Sequence, residues 1–325
     1  MKPMAETEFT RLVGCEAPIQ SVPVPGIATP DFVAAVCNAG GLGMLSGAMA
    51  TPDTLSTDID RLAAATAGPF GVNFLMPFVG KEVGEGVGAA AALIEVAARR
   101  ARVVEFFYGE PDAALVKRVH AGSALCSWQV GSAREAEAAA GVGCDFVIVQ
   151  GFEAGGHVRG TTGLLPVLGA TLARVEIPVL AAGGIATGRD VAALLRAGAA
   201  GCRVGTRFIC TSEANAHEQY KRALVAAAAE DTTYTEAFSV MWPDAPHRVL
   251  QSAVDAASDC REDVVGEVEI GGRIMRIDRG SVIAPTRDTQ GKIEAMALYA
   301  GQSVANIHGI ETVAAVMAGL MNPER

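Results

Sequence analysis

Between Pro18 and Ala229 the chain alternates eight short apolar runs with eight helix-like stretches, and few folds accommodate that rhythm. The runs are Ile19–Val24, Gly43–Ser46, Phe70–Leu75, Val103–Phe107, Ser123–Trp128, Asp145–Val149, Val179–Ala182 and Gly201–Val204. Between and after them lie helical patterns at Pro30–Ala39, Thr51–Ala65, Val87–Arg100, Asp112–His120, Ala133–Ala140, Leu164–Arg174, Arg189–Ala197 and Glu213–Ala229. Thr29-Pro30 and Thr51-Pro52 supply an N-cap followed by a first-turn proline. Gly40, Gly122, Gly141 and Gly198 stand where helices should stop. Strictly alternating elements predict parallel β/α architecture, and eight is the number that closes a (β/α)8 TIM barrel. A doubly wound sheet would carry GxGxxG after its first strand. The nearest approach, Gly41-Leu42-Gly43 with Gly47, has its third glycine one place late and leads into a strand. Residues 1–230 are therefore assigned to the barrel and 231–325 to a lid-like segment covering its mouth. In that segment we expect a hairpin over Glu262–Ile283 centred on Gly271-Gly272, and helices over Ile293–Ala300 and Val304–Met321.

Half the 325 residues are hydrophobic, enough for a large core, and the net charge of −10 comes without any Lys/Arg block. That balance argues against a nucleic-acid or anionic-membrane partner and for a small-molecule one. No apolar run reaches the roughly 18 residues of a membrane span, and MKPMAETEFTRLVG lacks a signal core. The seven cysteines form no CxxC and no zinc-type cluster with histidine, so no metal site is expected. An odd cysteine count without a secretion signal fits a reducing cytoplasm.

Chemistry concentrates where the runs end. Val147–Val149 is a buried strand that opens through Gln150 into a loop with Gly151, Gly155, Gly156 and Gly160 around one imidazole, His157. Glycines let backbone approach a flat or charged ligand, and histidine exchanges protons near neutral pH. Two later runs also end in glycine: Ala182 leads to Gly183-Gly184, and Val204 leads to Gly205-Thr206-Arg207. Loops after the seventh and eighth barrel strands commonly bind phosphate through backbone N–H groups, and Arg207 could add charge there. Asn73 interrupts the apolar Phe70–Leu75 run and Gln129 follows Trp128, so both bring amides to strand ends. One phosphate site and several amides suit a planar, amide-rich ring carrying a single phosphate, a description that FMN fits.

QGFEAGGH, AAGGIATG, VGTRF and FGVNF, with NAGGLGML earlier, resemble the nitronate monooxygenase family, formerly 2-nitropropane dioxygenases, over roughly residues 10–250. The resemblance implies an FMN-containing (β/α)8 oxidoreductase with His157 beside the flavin as base or hydrogen-bond donor. It implies FMN contacts from Val22, Pro23, Val24, Asn73, Gln129, Gln150, Gly155, Gly156, Gly183, Gly184, Val204, Gly205, Thr206 and Arg207. Many relatives read roughly PIIQAPM at the first strand. Here the stretch is Pro18-Ile19-Gln20-Ser21-Val22-Pro23-Val24, so Val24 stands where methionine is expected, and Gln129 stands where some relatives have lysine. The implied reaction is oxidation of an alkyl nitronate, or of the parent nitroalkane, by O2 with loss of nitrite. The related alternative is an NAD(P)H-dependent flavin reductase of enoyl thioesters or quinones. Use of NAD(P)H and a homodimer are both compatible with the resemblance.

Overall fold

The computed structural model describes residues 6–78, 87–270 and 273–324. Its centre is one all-parallel eight-stranded sheet: Ile19–Ser21, Gly43–Ser46, Phe70–Leu75, Val103–Phe107, Leu125–Val130, Phe146–Gln150, Val179–Ala182 and Gly201–Val204. The eighth strand pairs with the first, Gln20 opposite Arg203, and a bridge from Gln20 to Leu42 closes the ring. This is the TIM barrel that the alternation predicts. Three strands differ in their limits from expectation, the sixth only by a one-residue shift to Phe146–Gln150. The first strand stops at Ser21, just before prolines that carry no N–H for the ladder (Pro23 and Pro25). The fifth begins at Leu125, because Ser123 is still in a left-handed turn at φ 72°.

Strand alternation sorts side chains into two cores. Outward residues such as Val104, Phe106, Trp128, Val147 and Val149 pack under the surrounding helices. Inward residues Leu42, Met44, Val103, Phe146, Ile148 and Leu180 make a separate cluster inside the barrel. The short helix Glu8–Val13 plugs the strand N-terminal end with Phe9 and Val13, and Phe9 meets Phe146 edge-on at 5.5 Å. Apolar filling of one end directs what remains of the interior, the polar part, to the strand C-terminal end.

The chain after the barrel does three different things. Thr232–Thr235 pairs antiparallel with His247–Leu250, which in turn pairs with Gly156–His157, so this part is tied to the loop after the sixth strand. Strands Val264–Ile270 and Arg273–Asp278 form an antiparallel pair; the expected turn at Gly271-Gly272 lies outside the described residues. The helix Val313–Leu320 packs against Pro30–Asn38 and Gly188–Arg196. It therefore takes the outer-ring place left by the eighth strand, which is followed by the four-residue helix Thr206–Ile209 and then by Glu218–Ala226. The assignment of all of 231–325 to a covering lid is corrected for this helix, whose buried Val313, Val316, Met317 and Leu320 fill that gap. The long helices expected over Ile293–Ala300 and Val304–Met321 shrink to 3-10 turns at Ile293–Ala295 and Gln302–Asn306 plus this one helix. Among the described residues no helix is long and apolar enough to cross a membrane.

The docking of the chain end is testable at Gly188, the first residue of the helix capped by Thr187 and Asp190. A Cβ there would overlap the Asn322 carbonyl, a backbone group that cannot rotate aside. Gly188→Ala should lower stability by about 1–3 kcal/mol. Urea unfolding should show a reduced midpoint with an unchanged slope.

Candidate active site

A cavity of about 970 Å³, its open mouth included, lies at the strand C-terminal ends. Thirteen of the anticipated residues line it: Val22, Pro23, Val24, Asn73, Gln129, Gln150, Gly155, Gly156, His157, Gly183, Gly184, Gly205 and Thr206. Val204 and Arg207 do not. Val204 is out of phase with the inward Arg203 and packs in the outer core. Arg207 turns away to pair with Glu311 and with the Gly309 carbonyl at 3.4 Å, so its charge anchors the C-terminal segment and lies off the cavity wall. Thr206 Oγ1 accepts the Gly301 N–H at 3.0 Å, which brings Gly301 and Ser303 to the cavity wall.

The floor is a polar layer that sequence reading missed. Glu105, fully buried on the fourth strand, receives Gln20 Nε2 at 3.0 Å, Asn73 Nδ2 at 2.8 Å and Arg203 Nη2 at 2.7 Å. Arg203, 4% exposed, also donates Nη1 to Gln129 Oε1 at 2.5 Å. Five strands thus converge on one buried ion pair. The signal was present: Glu105 is the one charge in Val103–Phe107, and Arg203 the one charge in Gly201–Val204. A charge inside an apolar strand requires a buried opposite partner. Four polar atoms of the region remain without protein partners while out of contact with water: Gln20 Oε1, Asn73 Oδ1, Arg203 Nε and His157 Nε2. Such atoms are costly unless a ligand satisfies them. They supply two acceptors, one cationic donor and an imidazole edge.

His157 is positioned by backbone and by rings. Its strand pairs with His247, and its carbonyl accepts Gln150 Nε2 at 2.9 Å. Trp242 stacks on the imidazole at 3.9 Å and 18°, and is itself held edge-on by Tyr108 at 4.8 Å and Phe78 at 5.3 Å. His247 and Tyr299 complete the enclosure, with ring centroids at 5.2 and 5.7 Å from His157. Burial, and then the neighbouring His247, push the His157 pKa down to about 3. His247 is itself held neutral: Nδ1–H donates to the Ala245 carbonyl at 3.0 Å, which leaves Nε2 to accept the Phe238 N–H at 3.2 Å. Trp242 lies next to Met241, a non-glycine residue at φ 80°, so local backbone strain presents the indole to the cavity.

Beside the loop that carries His157, Gly183 and Gly184 adopt φ 115° and 70°, a conformation that other residues resist. With Gly205, the Thr206 hydroxyl and Ser303 nearby, the donor set here is neutral. It suits one phosphate held by N–H and O–H groups at a helix start. Among the described residues no group of histidine, cysteine, aspartate and glutamate could hold a metal.

Fold and cavity together define a β/α-barrel enzyme with a cavity at the strand C-terminal ends. The chain belongs to the nitronate monooxygenase family, whose model matches residues 6–322, and it is an oxidoreductase. It is 35% identical, over 82% of its length and 69% of the relative's, to the (3aS,4S,5R,7aS)-5-hydroxy-7a-methyl-1-oxo-octahydro-1H-indene-4-carboxyl-CoA dehydrogenase of Mycobacterium tuberculosis. It is 30% identical, over 70% of its length and 73% of the relative's, to a nitronate monooxygenase of Paraburkholderia phytofirmans. Among solved structures, FabK from Thermotoga maritima superposes with a TM-score of 0.78 at 27% identity, covering 98% of this chain and 96% of that one. Nitroalkane oxidase from Streptomyces ansochromogenes gives 0.78 at 29% identity, with 96% of each chain covered.

The depressed pKa of His157 has a signed consequence. The unfolded imidazole gains its proton near pH 6.5 and the folded one only near 3, so the unfolded state binds more protons in between. Stability is full above 6.5 and falls as the pH drops toward 3. Near pH 4.5 wild type should lose roughly 1–3 kcal/mol more than His157→Gln, relative to pH 8, in parallel urea titrations.

Proposed function

We propose that the cavity holds FMN and that the protein oxidises alkyl nitronates with O2, releasing nitrite and a carbonyl compound. The observation that carries this reading is the unpartnered, buried His157 Nε2 beneath Trp242, at the edge of a cavity whose floor offers amide acceptors and one cationic donor. Asn73, Gln129, Gln150 and Arg203 would face the ring system of the cofactor, and the Gly183-Gly184 and Gly205-Thr206 turns would take its phosphate. When bound, FMN supplies the electron-accepting chemistry; the protein supplies orientation and electrostatics.

The chain's own groups then select the substrate's protonation state. An imidazole with a pKa near 3 is uncharged at neutral pH and too weak a base to deprotonate a neutral nitroalkane efficiently. The same lowered pKa argues against an imidazolium that holds the nitro oxygens. As a neutral ring it can hydrogen-bond a nitronate that arrives already ionised. Trp242 lines the cavity beside it, braced by Tyr108 and Phe78.

A second reading has its own support. The 35% identical mycobacterial relative is named as a dehydrogenase of a carboxyl-CoA, which favours a flavin enzyme of thioesters linked to NAD(P)H. The two readings separate in one series of measurements on the yellow protein. Propyl-2-nitronate under air should give oxygen uptake and nitrite in parallel, with the neutral nitroalkane far slower. NADH and NADPH should bleach the flavin slowly without oxygen. Yellow protein that makes no nitrite, or that NADPH bleaches within the mixing time, overturns the nitronate reading. His157→Phe should cut kcat/KM for the nitronate by about 100-fold, while His157→Asn, which keeps a donor, should recover part of it.

A further inference from the structure

We propose that Glu105 is a positioning residue that cancels the charge of Arg203 beneath the bound ring and so sets how strongly the site favours the reduced cofactor over the oxidised one. The proposal rests on the FMN reading given above. Its basis is the pairing in the floor. Arg203 is the one cationic side chain on the cavity wall among the described residues, and its guanidinium is tied down on one side by Glu105 at 2.7 Å and on another by Gln129 at 2.5 Å. Both charges are almost wholly out of water, at 4% and 0% exposure, so solvent screens neither, and a ligand above them experiences the pair. The pair is a dipole with no net charge.

Two electrons and one proton convert the neutral oxidised isoalloxazine into its anionic reduced form. A bare buried guanidinium would favour that anion strongly; one cancelled at 2.7 Å favours it little. Glu105 also orients the amides. By taking Asn73 Nδ2 and Gln20 Nε2 it leaves Asn73 Oδ1 and Gln20 Oε1 as unpartnered atoms, and of these residues Asn73 lines the cavity beside the Arg203 donor.

Glu105→Gln is a nearly isosteric test. Glutamine can still accept from Asn73 and Arg203, and its new amide finds an acceptor in Gln20 Oε1 once the Gln20 amide turns over. The measurement is the ratio of FMN dissociation constants for the oxidised and reduced states, read as the midpoint potential of the bound flavin. Glu105→Gln should shift the ratio toward reduced FMN by at least tenfold, which raises the two-electron potential by about 30 mV. Arg203→Gln should shift it the other way. The double variant Glu105→Gln/Arg203→Gln, which matches wild type in charge, should return to within about threefold of it. A potential unchanged in Glu105→Gln, or a double variant shifted as far as that single one, overturns the proposal. If Glu105→Gln does not fold, an Arg203→Gln shift in the same upward direction, or none, overturns it. A wild-type protein that binds no FMN instead overturns the cofactor reading itself.

Discussion

The barrel's active end depends on one buried ion pair. Glu105 and Arg203 come from strands on opposite sides of the ring, and each would carry a desolvation cost of several kcal/mol if alone. Paired, and joined by Gln20, Asn73 and Gln129, they form a hydrogen-bonded deck across the barrel. Below the deck the filling is hydrocarbon, capped by Phe9. Above it lies the cavity. Core and cavity thus meet at a single layer, and removing one charge of the pair would disturb both.

Above that deck the protein holds its imidazole by contacts of quite different kinds. The ladder from His247–Leu250 to Gly156–His157 fixes the height of His157, Gln150 fixes its carbonyl, and Trp242 covers its ring face. None of these contacts gives the ring a charged partner; the nearest titratable neighbour is another neutral histidine. The surroundings of His157 consequently favour its uncharged form.

Much of this was legible in the residues. The barrel followed from periodicity, because β-branched runs and capped helices are local signals that tertiary packing here reinforces. The glycine-ended strands and the Gln150–His157 bracket were legible because close backbone approach leaves a mark in composition. Arg207 misled because a charge beside a phosphate-type loop looks identical in sequence whether it faces the ligand or, as here, Glu311. Glu105 and Arg203 each leave a local mark, a lone charge in an apolar strand, but which partner each takes does not show locally, because their strands lie about 100 residues apart in the chain. Trp242 and Tyr299 arrive from the last third of the chain, where hairpin and 3-10 turns follow contacts with the barrel more than any periodic pattern.

The small antiparallel ladder beside the sixth strand also bears on how the molecule comes into being. His157 is made early, but the segment that sets its height is synthesised some 90 residues later. A nascent chain that has emerged only as far as its eighth barrel strand therefore holds the imidazole without its brace or its indole cover. Such an intermediate carries the Gly183-Gly184 and Gly205-Thr206 turns yet lacks the ladder and the indole that enclose His157, so the cavity is complete only once the C-terminal third has docked.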